Sequence, residues 1–310
     1  MKFKFFVFSF LFAILLSGCE KNSSPQHNEP IVDTNDSSTY ITQVFDYVYA
    51  PGQYATNSNL TNAQNFIGKP SYLQTTNATI QKTSISLGGW GGYIVAGFNH
   101  NISNFDGNDF IVFCGNSPAS EPAIVYVMQD ENGNNLPDDN WYELKGSEHN
   151  NTATYHNYQV VYYKPVSVTS NIFWKDNKGN SDSLKAGYGV SCTSSWWKYN
   201  AEDSLIFNGT RLPDAYQNIS STPTENWAPI AGLFSWGYAE NANANNFNLQ
   251  FKGNEFDISN AIDTNGNAVS LTTIRFIKIQ TGVFQQAGWL NEISTEIYGA
   301  ADLNLLNSAN

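Results

Sequence analysis

The sequence predicts an all-β domain, a β-sandwich or jelly roll with long loops and little helix. Charged residues make up only 14% of the chain and aromatic residues 15%, and aromatic side chains are enriched in strands. Short runs of β-branched and aromatic residues recur between clusters of Gly, Asn and Pro, and the one helix expected lies within residues 57–68. No motif recurs with a period of roughly 20–50 residues, which argues against a propeller or a solenoid.

The N-terminal residues predict a lipid anchor. Residues 1–18 contain two lysines and a short apolar run, and they end in small residues before Cys19, as in a secretory signal peptide. The segment Leu16-Ser17-Gly18-Cys19 resembles the lipobox of bacterial lipoproteins, which implies acyl chains on Cys19. Two or more chains anchor a protein stably, because each buried CH₂ contributes about 0.8 kcal/mol. The alternative is an ordinary signal peptide that happens to contain a cysteine.

The mature chain is acidic throughout. Without Lys2 and Lys4 it carries 13 basic and 27 acidic residues, a net charge of −14. Nucleic acid is therefore not an expected partner, because phosphate binding needs clustered Lys and Arg. Residues 19–39 are polar and contain two prolines, so they predict a flexible tether. Residues 40–306 predict a single β-sandwich domain that is long enough to bury a large core.

Strand-like runs follow one another through this domain. Residues 41–49 end at a Pro-Gly turn, and residues 83–98 predict two strands joined by a Gly-Gly-Trp-Gly-Gly tip. A buried strand at residues 123–128 leads into an acidic loop, and a strand at 140–145 follows the loop. Further strands are expected at residues 109–114, 158–164, 171–174, 205–207, 246–252, 275–280 and 294–298.

The acidic loop is the candidate metal site. Its possible oxygen ligands are the side chains of Asp130, Asn132, Asn134, Asp138 and Asp139 and the carbonyl of Leu136. Oxygen ligands at alternate positions of a coiled loop suit Ca²⁺, which takes about six to eight of them. Flanking strands distinguish this loop from an EF-hand, so we expect a structural Ca²⁺ in a shorter loop. The alternative is a hairpin of Asx turns without an ion.

Aromatic residues in turn-rich segments are the candidate ligand contacts. They are Trp90, Trp196, Trp197 and Tyr199. Flat rings in such segments stack on a sugar or a macrocycle. Trp90 lies among four glycines, so it is either a ligand platform or a plug over the end of the sandwich. Trp196 and Trp197 are adjacent, and in an extended segment their side chains point to opposite faces. At most one of the two is therefore expected in the core.

Catalysis has little support in the sequence. The histidines of the predicted domain are His100, His149 and His156. None lies in an HExxH helix or near a GxSxG elbow, and His100 lies in a turn-like segment. The chain is therefore expected not to be an enzyme. The alternative is a glycoside hydrolase with two carboxylates drawn from Asp203, Glu225, Glu240, Glu292 and Glu296.

Cysteine pairing stays open. Besides Cys19 the chain has Cys114 and Cys192, and an oxidising compartment would permit a disulfide between them. Cys114 ends a strand-like run, where a buried free thiol fits as well. No CxxC spacing and no His-rich segment suggests zinc.

Several motifs together resemble a family of Bacteroidota surface lipoproteins known as "cell surface protein". They occupy residues 86–95, 104–110, 121–125, 130–147, 235–239, 258–263 and 276–296. The Leu-Gly-Gly-containing part also looks like galactose-binding-like sandwich modules. The resemblance spans nearly the whole mature domain, and the sequence departs from the family pattern at Cys114 and at Ser117-Pro118.

The resemblance implies a role in uptake. Members of this family tend to accompany TonB-dependent outer-membrane transporters, including those of vitamin B12. We therefore expect a lipid-anchored protein of the outer membrane, on the cell surface, that binds a corrinoid or a glycan and serves a transporter. A carbohydrate-active hydrolase and a structural adhesion module are the alternatives.

Overall fold

The computed structural model describes residues 31–32, 39–52, 63–73, 84–115, 120–167, 169–185, 202–288 and 291–308. Over these residues the fold is an all-β sandwich with little helix, which confirms the predicted fold class. The strands are β1 (Ile31–Val32), β2 (Gln43–Val48), β3 (Ile85–Ser86), β4 (Tyr93–Ser103), β5 (Phe110–Phe113), β6 (Ala123–Met128), β7 (Tyr142–Leu144), β8 (Tyr155–Tyr163), β9 (Ile172–Asp176), β10 (Ser181–Leu184), β11 (Ser204–Arg211), β12 (Tyr216–Asn218), β13 (Trp227–Pro229), β14 (Phe247–Asn248), β15 (Gly253–Phe256), β16 (Ala261–Ile262), β17 (Thr273–Thr281), β18 (Glu296–Ile297) and β19 (Gly299–Asp302).

Within the residues that the structure describes, helical structure is confined to short segments. The helix α1 (Leu303–Ser308) follows β19, and 3-10 helices lie at Gln64–Phe66, Ser71–Leu73 and Ile258–Asn260. No helix within the described ranges has the length and apolar character needed to cross a membrane. The helix expected within residues 57–68 is represented by the 3-10 helix Gln64–Phe66, and residues 57–62 lie outside the described part of the chain.

Two antiparallel sheets form the sandwich. The large sheet has the strand order β1-β2-β4-β17-β6-β7-β16, and the small sheet has the order β14-β15-β5-β19. Alternation along each strand sends every second side chain into the space between them. Ile277 and Ile279 of β17 and Val125 of β6 thus share one apolar core with Val112 of β5 and Ala300 of β19. Phe276 of β17 lies on the opposite, outer face of the large sheet.

A third sheet packs beside the outer face of the large sheet. This side sheet has the order β10-β9-β8-β11. Its apolar residues, including Tyr162 and Phe207, form a second core with Val48, which ends β2, and with Trp90. The side sheet therefore covers part of the large sheet and leaves the rest for other contacts.

Trp90 belongs to this second core. Its side chain is 1% exposed, and its ring meets Tyr158 edge-on at a centroid distance of 4.8 Å. The prediction that Trp90 binds a ligand is wrong, because solvent reaches neither face of the indole. Glycine is required beside it: Gly91 has a φ of +93°, and a Cβ there would lie 2.4 Å from the Cβ of Phe207.

Two further segments differ from expectation. Ile31–Val32, within the predicted tether, pairs with Val44 and Gln43 of β2. His100 lies inside β4 rather than in a turn, and its Nε2 is 3.0 Å from Oδ2 of Asp302. β4 continues through the Phe-Asn-His-Asn segment because β17 pairs with β4 both before and after that segment. Tertiary pairing therefore overrides the turn preference of Asn.

A cluster of three glutamates consists of the buried Glu121 and Glu240 and the partly buried Glu296. Glu121 accepts a hydrogen bond from the Ser294 amide and Glu240 accepts one from the Glu296 amide, each at 2.5 Å. Burial raises the pKa of all three carboxyls, and their mutual repulsion adds to the shift at Glu121 and Glu240. The pKa of Glu296 rises from an ordinary 4.5 to about 7. Removal from water disfavours the ionised form.

Stability should fall as the pH rises through the titration of Glu296. Between about pH 4.5 and 7 Glu296 holds a proton in the folded chain that it has lost in the unfolded chain, so the contribution of Glu296 to the unfolding free energy decreases by about 3 kcal/mol across this window. Urea unfolding from pH 4.5 to 8 measures the unfolding free energy. In E296Q it should fall less steeply with pH than in the wild type, with the remaining slope due to Glu121 and Glu240, and E296Q should be more stable than the wild type at pH 8. Glu225→Gln, at an exposed position, should keep the wild-type slope; an equal slope in E296Q would contradict the assignment.

Candidate functional site

A cavity of about 380 Å³ lies between the outer face of the large sheet and the side sheet. The large sheet contributes Tyr126, Glu143 and Lys278, and the end of the side sheet contributes His156 and residues 208–210. Trp141, His149 and residues 262–266 complete the wall. The cavity therefore combines a ring system, amides, a carboxylate, imidazoles and an amine on one surface.

Strand register builds the floor of the cavity. Lys278 of β17 lies opposite Tyr126 of β6, and Tyr126 lies opposite Glu143 of β7. Their neighbours Ile277, Val127 and Leu144 point into the sandwich core. Because side chains alternate, these three polar residues form a single row on the outer face.

Lys278 is held in an aromatic setting within this row. Its Nζ lies 4.6 Å from the ring centroid of Tyr93 and 5.2 Å from that of Tyr126. Burial lowers the pKa of Lys278 to about 8, against the opposing attraction of Asp46. The ring faces stabilise the ammonium form, while desolvation brings the amine close to losing its proton near neutral pH.

Thr210 joins the side sheet to the floor. Its hydroxyl donates to Oε2 of Glu143 at 2.5 Å, and its backbone amide donates to the Tyr126 hydroxyl at 3.4 Å. Burial raises the pKa of Tyr126 above its ordinary value, and the charge of Glu143 raises it further. The Tyr126 hydroxyl thus stays protonated beside the Glu143 carboxylate.

The turn before β8 carries His149 to the cavity, and Glu148 fixes that turn. The Glu148 carboxylate accepts hydrogen bonds from the Ser147 hydroxyl, the Phe234 amide and the Asn151 side chain at 2.8–2.9 Å. Its own amide donates to the Tyr238 hydroxyl at 2.9 Å. These contacts of Glu148 therefore fix the position of the neighbouring His149.

The acidic loop lies between β6 and β7, where it was predicted, and its side chains converge. Asp138 accepts hydrogen bonds from the amides of Asn132 and Asn134 at 3.1 and 2.9 Å. Asp139 accepts from Asn132 and from the Glu131 backbone. The structure therefore brings four of the predicted calcium ligands together through side-chain contacts.

The remaining loop ligands lie next to this group. Asp130 Oδ2 accepts from the Asn135 amide at 3.1 Å, whereas Asp130 Oδ1 is buried without a hydrogen-bond partner. The carbonyl of Leu136 accepts from the Asp138 amide at 2.9 Å. Donation from Asn134, and then from Asn132, lowers the pKa of Asp138. Hydrogen bonds of this kind favour the ionised form of the Asp138 carboxylate.

The other predicted site residues lie elsewhere. Trp196, Trp197 and Tyr199 are outside the described residues, and Trp90 is in the side-sheet core. Glu240 and Glu292 are buried, and neither lines the cavity. Glu225 accepts from the Trp227 indole at 2.9 Å at an exposed position.

Cys114 is a buried free thiol. Its Sγ lies 3.4 Å from the side-chain oxygen of Asn254, to which it donates. Burial raises the pKa of Cys114 to about 12, so the thiolate, the reactive form, is scarce at neutral pH. Cys192 lies outside the described residues.

Sequence reasoning missed the cavity residues Glu143, His149, His156, Thr210 and Lys278. A partial signal was present, because the alternation of residues 141–144 places Trp141 and Glu143 on one face of a strand. Which face the side sheet covers depends on contacts between residues far apart in the chain. No local pattern reports them.

No family model matches the sequence, and no curated protein matches it with significance. The resemblance to Bacteroidota surface lipoproteins therefore stays a prediction.

Calcium binding to the acidic loop should stabilise the fold. A free Ca²⁺ concentration about 100 times the Kd should add about 2.7 kcal/mol, seen as a rise of several degrees in Tm by differential scanning calorimetry. The double variant D138N/D139N should lose this rise, because it removes two carboxylates from the convergent group. Asp182→Asn, which removes an exposed acid of β10, should retain it. If neither Ca²⁺ nor a chelator changed the Tm of the wild type, the calcium site would be excluded.

Proposed function

We propose that this protein is a lipid-anchored surface protein that captures a small polar solute in the cavity between the large sheet and the side sheet. The observation that carries the proposal is the cavity itself, with Trp141, amide side chains and charged groups on one concave wall. Ligand sites are typically concave, with aromatic surface and a few polar groups that fix orientation. The lipobox-like segment that ends at Cys19 supports an address at the outer membrane.

The dimensions favour one sugar unit of a glycan over a whole corrinoid. Ligand pockets span about 300–1,000 Å³, and 380 Å³ lies near the lower end. A cavity of this volume can hold one sugar ring. Only the edge of a corrinoid macrocycle could enter it. Asn157, Asn208 and Asn265 add amide groups, which both donate and accept hydrogen bonds as sugar hydroxyls require.

The calcium loop fits this function as a brace. It connects β6, which carries Tyr126, to β7, which carries Glu143, and Trp141 at its end lines the cavity. A cation held by the loop would fix the spacing of these strands where they form the floor. Ca²⁺ therefore has a structural role in the proposal, and transfer of the captured solute to a TonB-dependent transporter is its physiological purpose.

A glycoside hydrolase is less well supported. Its two carboxylates must flank the bond to be cleaved, whereas Glu240 and Glu292 are buried outside the cavity. Two acids line the cavity wall, Asp263 and Glu143. The Asp263 carboxylate is engaged by the backbone amides of Asn265 and Asn267, and Glu143 accepts the Thr210 hydroxyl proton. Capture of a solute therefore describes the cavity better than hydrolysis does.

Solute binding should depend on Trp141. Isothermal titration of the tag-free protein with a panel of mono- and oligosaccharides, and with cyanocobalamin, should find a ligand whose affinity Trp141→Ala lowers by roughly tenfold or more. The variant loses the stacking surface but leaves the strands intact.

Trp236→Ala is the matched control, because Trp236 is also partly exposed and lies outside the cavity. It should bind the same ligand as the wild type does. Equal affinity of Trp141→Ala and wild type, or no binding across the panel, would contradict the proposal. Release of cleaved sugar during the titration would instead favour the hydrolase.

A further inference from the structure

Three metal-binding side chains meet at one end of the cavity. One ligand atom from each of Glu143, His149 and His156 lies within 4.8 Å of the other two. The two imidazole rings are 4.6 Å apart, centroid to centroid. Glu143 stands on β7, His149 on the turn before β8, and His156 on β8 itself. Three separate elements thus converge on a single point.

The free lone pair of His156 follows from its hydrogen bond. Nε2 lies 3.1 Å from the backbone carbonyl oxygen of His149, and a carbonyl oxygen only accepts, so Nε2 carries the proton. In the neutral ring Nδ1 is then unprotonated. A backbone carbonyl bound to the other ring nitrogen is the common arrangement for a metal-ligating histidine.

Nδ1 of His149 also lacks a partner. It is buried with no hydrogen bond, on a side chain that is only 11% exposed. Oε1 of Glu143 is 3.9 Å away, too far for a hydrogen bond. A polar nitrogen that is desolvated without a partner is costly, and a cation between the two groups would satisfy both.

A hydrogen bond also orients the Glu143 carboxylate towards the position where a cation would bind. Its Oε2 accepts the Thr210 hydroxyl proton at 2.5 Å, which leaves Oε1 directed towards His149. The Thr210 oxygen is 3.5 Å from Nδ1 of His156, but its single proton is already committed to Glu143. Thr210 therefore acts on the neighbouring carboxylate and leaves Nδ1 of His156 without a donor.

We propose that Glu143, His149 and His156 bind a transition-metal ion of the zinc class, with a further coordination position open to the cavity. Zinc bonds to histidine nitrogen and carboxylate oxygen are about 2.0–2.2 Å, so tetrahedral ligand atoms stand about 3.4 Å apart. The 3.9 Å between Nδ1 of His149 and Oε1 of Glu143, and spacings of up to 4.8 Å within the cluster, would have to close by about 0.5–1.4 Å to reach that spacing.

The donor set selects the metal. Two imidazoles and one carboxylate suit zinc and its neighbours, whereas calcium prefers oxygen ligands alone. The site is thus chemically distinct from the acidic loop. Metal sites that admit water or a substrate atom typically have three protein ligands and one open coordination position. All three ligands proposed here line the cavity.

The metal would add a Lewis-acidic contact to solute capture. A ligand oxygen or nitrogen entering the cavity would occupy the open position, next to Trp141 and Lys278. This site does not depend on the solute, so a metal measurement distinguishes its failure from that of solute capture.

Zinc titration of the tag-free, chelator-treated protein in excess Ca²⁺ tests the proposal, because Ca²⁺ occupies oxygen-rich sites. The expected result is about one zinc ion per chain. Co²⁺ should give a visible spectrum typical of nitrogen and oxygen ligands at low coordination number. H149A and H156A should each weaken binding by more than about 100-fold, and Thr210→Val by about tenfold.

His100→Ala is the matched control, since His100 also faces a carboxylate, that of Asp302, but outside the cluster. It should bind zinc as the wild type does. Thermal melts in the absence of metal establish that each variant folds, and Glu143→Gln, which keeps the Thr210 hydrogen bond, replaces any variant that does not. Absence of stoichiometric zinc, or equal affinity in the wild type and in the folded ligand variants, would overturn the proposal.

Discussion

The outer face of the large sheet is the constraint on which the rest of the structure depends. Alternation along β17, β6 and β7 sends apolar residues into the sandwich and leaves Lys278, Tyr126 and Glu143 in a row on the other side. An outer face that also carries Phe276 and Met128 cannot remain open to water at low cost. The side sheet covers part of this face through the Trp90 core. At the polar row of Lys278, Tyr126 and Glu143 the large sheet and the side sheet are separated by the cavity.

The polar end of the interface is held by hydrogen bonds instead of apolar packing. Thr210 reaches down from β11 to Glu143 and Tyr126, and the Glu148 network fixes the turn that carries His149. Buried polar groups are costly unless they are paired. Nδ1 of His149 is one of the buried polar atoms without a hydrogen-bond partner, and the proposed metal ion would give it one.

The sequence was sufficient for the fold class and for several local features. Alternating and apolar runs predicted β2, β6 and β17, and the spacing of Asp and Asn residues predicted the convergent loop between β6 and β7. These features depend on neighbours along the chain. The loop coils as expected, with Gly133 and Asn135 at positive φ, although its occupancy by calcium stays a prediction.

The candidate site could not be predicted in the same way. Glu143, His149 and His156 have no metal-motif spacing, because a hydrogen-bonded turn rather than a helix brings the histidines together. Thr210 and Lys278 reach the cavity from strands much later in the chain. Of the two interpretations of Trp90, the ligand platform is wrong for a related reason: glycines beside a tryptophan fit a ligand-binding turn, but here they permit close packing against Phe207. The local sequence pattern predicts the strands. Which layer covers each face of a sheet depends on contacts between residues far apart in the chain.

The proposal that distinguishes this cavity most sharply is a metal ion bound by Glu143, His149 and His156. Anomalous diffraction at the zinc absorption edge, from crystals grown with zinc and calcium, tests that proposal. A bound zinc ion would give an anomalous peak next to Glu143, His149 and His156, with an open position facing the cavity. No peak at these residues, or a zinc peak confined to the acidic loop, would contradict the proposal.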